Sequence, residues 1–230
     1  MQPEATLFVI DDDVAARQAV AELARAMDLW CESFASAPEF LKCFDPQRPG
    51  SVILEVRLPG GVSGLQLQRC LEEQQIDLPL IFLVERIDVA SAIEAMRRGA
   101  LSVVEKPFRE MEMWDLVQEA IQLDALRRRQ RLARDQIERR VAGLSAAELQ
   151  LMDNIVAGES NRGIAHREGV CVRTVEIRRA KLMEKLKARS LVDLMEIALT
   201  RRGLLSALPD EAAPALAGGN GNGRRHLPPR

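Results

Sequence analysis

A chain of 230 residues with 47% hydrophobic and 29% charged content has the balance of globular protein, and at roughly 100 to 150 residues per domain it is expected to form two domains. Its longest apolar runs, such as residues 80–84, fall far short of the ~20 residues of a membrane-spanning helix, and residues 1–4 lead no basic segment into an apolar one, so neither export nor membrane insertion is expected. The formal net charge of -2 hides an asymmetry: 11 Lys and Arg against 21 Asp and Glu over residues 1–120, then 21 against 13 over residues 121–230, and a basic half favours a polyanionic partner.

Over the first 120 residues, apolar runs of strand length at 6–10, 30–34, 51–54, 80–84 and 102–104 alternate with stretches of helix length. This pattern predicts an α/β doubly wound, parallel five-stranded sheet with helices on both faces. In such sheets ligands bind at the carboxyl ends of the strands. The residues there are Asp11, Asp12 and Asp13 after the first strand, Glu55 after the third, Val84 after the fourth and Lys106 after the fifth. Clustered carboxylates are costly unless a cation neutralises them, so Asp11 and Asp12 suit a divalent ion such as Mg²⁺; a solvated acidic cap on the first helix is the alternative. Lys106 is expected to reach an anion at the strand ends. Cys31, Cys43, Cys70 and Cys171 show no C-x-x-C spacing and have only two histidines for company, which argues against zinc and against a disulfide framework. Buried thiols in a reducing cytoplasm are the expectation.

The segments VIDDD, VILEVRLPGGVSG and DVASAIEAMRRGALSVVEKPF resemble the receiver domain of response regulators, over residues 4 to about 122. In that family the acid ending the third strand is an aspartate that takes a phosphoryl group from a histidine kinase. A Thr or Ser ends the fourth strand, and an aromatic residue on the fifth swings inward on activation. Asp11, Asp12 and Lys106 match, whereas Glu55, Val84 and Val103 depart from the pattern. Each departure removes a different part of the phosphorylation switch. Glu55 carries one charge rather than the roughly -1.5 to -2 of a phosphate, so it imitates the phosphorylated state only partly. The resemblance thus implies a receiver locked in one state by a Glu55–Lys106 ion pair and needing no cofactor, with Mg²⁺ at Asp11 and Asp12 as an option. A strand followed by Asp11-x-Asp13 also resembles haloacid-dehalogenase phosphatases, but Val84 lacks the hydroxyl that such an enzyme needs, and no enzymatic activity is expected.

Residues 111–140 contain no proline or glycine and are read as the last receiver helix running on into a charged linker. Ser145 with Glu148 three residues later forms a capping box, and Gly158 stops that helix. A short helix over Asn161–Glu168, a turn at Gly169, and a longer helix from near residue 173 to about 187 give a helix-turn-helix pattern. On the longer helix, Val175, Leu182 and Leu186 share the stripe that must be buried. Arg173, Thr174, Glu176, Ile177, Ala180 and Lys181 are left to face DNA. Glu176 suits a cytosine amine, and Ile177 and Ala180 suit a thymine methyl. Arg178, Asn161 and Arg162 are placed on phosphates, and Arg179 is expected to make an internal pair.

The segments LSAAELQLMDNIVAGESNRGIA and RTVEIRRAKLMEKLKARSLVDLMEIAL resemble the LuxR-type DNA-binding domain of FixJ/NarL-class response regulators. That domain has four helices; its last, near residues 190–200, is a dimerisation element that Leu191, Leu194 and Met195 would suit. Cys171 stands where the family has a capping serine. The expected layout is a receiver-like domain (1–122), a helical charged linker (123–142), an all-α four-helix helix-turn-helix domain (143–203) and a disordered tail (204–230). The function this implies is a cytoplasmic transcriptional regulator that binds double-stranded DNA as a homodimer without receiver phosphorylation, and has a histidine kinase or other regulatory protein as a further partner. A phosphorylation-independent module that sequesters a partner is the other reading.

Overall fold

A computed structural model describes residues 5–204; the tail expected from residue 204 onward therefore lies, apart from Leu204, outside the described residues. The chain divides into two compact units, one running through Arg129 and the other from Gln130. In the first unit β1 (Thr6–Ile10), α1 (Val14–Ala26), β2 (Trp30–Phe34), α2 (Ala37–Cys43), β3 (Gly50–Leu54), α3 (Gly64–Glu73), β4 (Leu80–Val84), α4 (Val89–Arg97), β5 (Ser102–Glu105) and the first part of α5 (Glu110–Ala142) follow in strict alternation. The strands pair in parallel in the order β2-β1-β3-β4-β5.

Strands β1, β3 and β4 are buried along their whole length, which is why they read as continuous apolar runs rather than as alternating patterns. Their side chains still divide with a period of two. Phe8, Ile10, Val52, Leu54 and Phe82 pack with Phe40, Leu67, Leu71 and Ala95 from α2, α3 and α4. Leu7, Val9, Ile53, Ile81 and Leu83 pack on the other face with Val20, Leu23, Met113 and Val117 from α1 and α5. Each large side chain so buried contributes about 1.5–3 kcal/mol of hydrophobic stabilisation. Because β1 is flanked by β2 on one side and β3 on the other, the crossover direction reverses there, and the crevice that such a reversal opens lies at the carboxyl ends of β1 and β3.

Helix α5 is a single element across residues 123–142, and both ends of that segment are committed. The buried Asp124 carboxylate accepts the Gly50 N–H at 2.8 Å and the Arg128 Nε at 2.8 Å, while Arg128 also donates to the Gln47 and Arg48 carbonyls. Nearer its C-terminal end, Ile137 and Val141 join the core of the second unit. That core is closed by α6 (Ala146–Val156), α7 (Asn161–Glu168), α8 (Val172–Leu186) and α9 (Leu191–Arg201), through Leu151, Ile155, Ile164, Val175, Leu182, Leu186 and Leu194. Ser145 and Glu148 make the reciprocal capping box, with Ser145 N–H donating to Glu148 Oε2 at 2.7 Å. Gly169 takes the left-handed conformation (φ 66°) that ends α7 and sets the turn into α8.

Candidate functional site

The three aspartates that follow β1 do not act together. Asp13 is the N-cap of α1, accepting the Ala15 and Ala16 N–H groups at 2.9 and 3.3 Å, and Asp12 is exposed. Asp11 is only 2% exposed; its Oδ1 accepts the Asp13 N–H at 2.9 Å and its Oδ2 lies 2.7 Å from Lys106 Nζ. Directly across from it, just past the Ile10–Leu54 pair of the neighbouring strands β1 and β3, Glu55 is 4% exposed, with Oε1 accepting the Arg57 N–H at 3.0 Å and Oε2 3.1 Å from the same ammonium. Glu85, which sequence reasoning did not single out, is a third carboxylate on Lys106 at 3.3 Å. Its position just after β4 was the available signal. Lys106 is delivered by the end of β5 and is followed by a cis peptide to Pro107.

Burial opposes the charge on Lys106, but the Asp11 and Glu55 carboxylates outweigh it and raise the amine's pKa above that of an ordinary lysine. The approach of α3 is part of the site: a Cβ on Gly64 would stand 2.3 Å from the Glu55 carbonyl oxygen, so only glycine lets the helix start this close to β3. Val84 is buried at the end of β4 and Val103 is half-buried beside it, both lining a cavity of about 290 Å³ that also reaches Glu55 and Lys106. As placed, these residues do not fit a divalent metal. Both Asp11 oxygens already have partners, Asp12 is turned to solvent, and no three His, Cys, Asp or Glu side chains are gathered as ligands among the described residues.

In the second unit the exposed surface of α8 carries Arg173, Glu176, Ile177, Ala180 and Lys181, with Ile177 46% exposed despite being apolar. Arg173 Nη1 lies 3.4 Å from Glu176, so in the free protein two of the expected base readers hold each other. Thr174 is half-buried and turns its hydroxyl to Cys171 Sγ at 3.1 Å. That hydroxyl lowers the thiol's pKa, and Cys171 makes no side-chain cap on α8, unlike Ser145, Ser160 and Ser190 on the neighbouring helices. Arg178, expected on a phosphate, is paired with Glu168 of α7 at 2.8 Å. Arg179 makes the expected internal contact, but its partner is the Asn161 amide oxygen at 3.3 Å rather than an acid, which also occupies a residue assigned to phosphate; Arg162 stays exposed. On α9, Leu194 is fully buried in the core, leaving Leu191, Val192 and Met195 exposed.

No helix among the described residues is long and apolar enough to cross a membrane. Residues 7–118 match the response regulator receiver domain, and residues 142–198 match the bacterial regulatory proteins of the luxR family. The transcriptional regulatory protein FixJ of Azorhizobium caulinodans is 37% identical over 90% of this chain and 97% of its own length. The transcriptional regulatory protein TdiR of Thauera aromatica is 34% identical over 84% of this chain and 85% of its own. Among solved structures, the response regulator StyR superposes with a TM-score of 0.76 at 33% identity, covering 85% of this chain and 98% of that one. A receiver fold and a LuxR-type helix-turn-helix in one chain, with relatives matching over both domains, place this protein among the FixJ/NarL-class response regulators, which are DNA-binding transcriptional regulators.

Proposed function

We propose that this response regulator controls transcription without phosphotransfer to its receiver, which is held in one state by the ion pairs of Lys106. The observation that carries the reading is the Lys106 ammonium lying 2.7 Å from Asp11 and 3.1 Å from Glu55. In that arrangement the lysine already has the anions it would otherwise offer to a phosphoryl group, and no hydroxyl stands at Val84 to help bind one. Glutamate in place of aspartate also puts the carboxylate one C–C bond further out, into the space that a phosphoryl group would fill. The protein works in the cytoplasm, needs no cofactor or metal, catalyses no reaction of its own, and answers to a histidine kinase or another regulatory protein through contact alone.

DNA is engaged by a homodimer, with α8 in the major groove and α9 carrying the subunit contact through its exposed Leu191, Val192 and Met195. Arg173, Glu176, Ile177 and Ala180 read base edges, Lys181 and Arg162 meet the backbone, and Arg178 and Asn161 do so once DNA draws them from Glu168 and Arg179. The experiment is a DNA-binding titration of the untreated full-length protein over genomic fragments, at fixed salt, with and without acetyl phosphate. Selective binding that ignores the donor supports the reading. Binding that appears only with the donor refutes it, and no selective binding in either case moves the weight to a partner-sequestering module. Within a selected site, Arg173→Ala is expected to cost ~1–3 kcal/mol and relax selectivity at one base pair, which binding to a panel of single-base variants would measure.

A further inference from the structure

We propose that the 290 Å³ cavity at the strand ends binds a small organic ammonium compound with an apolar body. The proposal rests on the reading above, that no phosphoryl group takes this space. The cavity has two kinds of wall. Val56, Val84, Ala92, Ala95 and Val103 give it an apolar floor, and short side chains at all five positions leave the volume open between β4, β5 and α4. Its volume is near the lower end of the roughly 300–1,000 Å³ typical of small-molecule sites.

The charged wall selects the ligand's sign. Five carboxylates line the cavity against three basic side chains, and the buried Asp11 stands behind them. Glu55 is more than nine-tenths buried and lines the cavity, yet its Oε2 makes no hydrogen bond; its contact is an ammonium that Asp11 and Glu85 also share. The carboxylates of the lining outnumber its basic side chains, so an additional positive charge entering here is attracted, most strongly next to the buried Glu55. Asp12, exposed at the rim and without an ion pair among the described residues, is a free acceptor for the incoming N–H groups. A divalent metal needs a shell of about six oxygens, which is not assembled; a monovalent ammonium needs one or two carboxylates and gains from the apolar floor, which a bare ion does not.

The test is thermal unfolding and calorimetric titration of the full-length protein with phenethylamine and hexylamine, set against phenylacetate and hexanoate as probes of the same bodies with the opposite charge. The amines are expected to raise the receiver's unfolding temperature saturably and to bind at least ~10-fold tighter than the matching acids. Val103→Phe and Ala92→Leu, each checked for native circular dichroism, should weaken amine binding by at least ~10-fold by filling the floor. Equal binding of amine and acid, no binding of either, or full binding in both filled variants would overturn the proposal. So would competition showing Mg²⁺ alone to be the preferred cation. Mass spectrometry after acetyl phosphate treatment separates the two ideas: phosphorylation of the receiver would refute the function proposed above whatever the amines do.

Discussion

At Lys106 a single ammonium stands among three carboxylates, and the two changes that alter this balance should act in opposite directions. Lys106→Met leaves Asp11 and Glu55 buried without a counter-charge and is expected to cost about 3–5 kcal/mol, read from the urea midpoint of the receiver. Glu55→Gln removes an acid from a site with too many, keeps the Lys106–Asp11 pair, and should be neutral or stabilising in the same assay. A comparable loss in both variants would mean that the Glu55 charge stabilises the site through Lys106 and that the site carries no excess of acid. Cys171 gives a second residue-scale test, because it occupies the N-cap of α8 without bonding to a backbone N–H. Cys171→Ser should supply that bond and stabilise the DNA-binding unit by about 0.5–1 kcal/mol in denaturant unfolding.

For the elements, capping and close approach explain where the helices begin. Five serines, at 36, 63, 145, 160 and 190, and Asp13 and Asp88 each accept a first-turn N–H, and the Ser145–Glu148 pair among them was readable from the chain. The α6 cap is also an electrostatic device. The Ser145 N–H, then Lys185 of α8, lower the Glu148 carboxyl from its ordinary 4.5 to about 2. A depressed carboxyl pKa means that its contribution is fully present above pH 4.5 and is lost as pH falls through about 2. Glu148→Gln keeps an acceptor at this position but cannot titrate. The stability advantage of the parent protein over this variant, measured by thermal unfolding, should be constant above pH 5 and vanish toward pH 2; an advantage independent of pH would remove the charge from the explanation.

At the scale of the whole molecule, the receiver pocket and the DNA-facing helix lie in different units, and the proposed function rests on Glu55, Val84 and Val103 taken together. Restoring one of them should therefore not restore control: Glu55→Asp alone leaves Val84 without a hydroxyl and Val103 without a ring, and its DNA affinity should not respond to acetyl phosphate. Full switching in that variant, seen in the same DNA titration, would show that the pocket was intact but for one methylene. The sequence by itself determined the order of strands and helices, the helix-turn-helix and the converging of Asp11, Glu55 and Lys106, because strand periodicity, capping residues and strand-end positions are local properties of the chain. Only the tertiary structure decided which of three adjacent aspartates faces Lys106, that Glu85 joins them, that Arg178 and Asn161 already have partners, and that Asp124 and Arg128 tie the long helix to the start of β3. These are contacts between residues 10 to 95 positions apart, set by the distances at which the packed elements come to rest, and no local pattern encodes them.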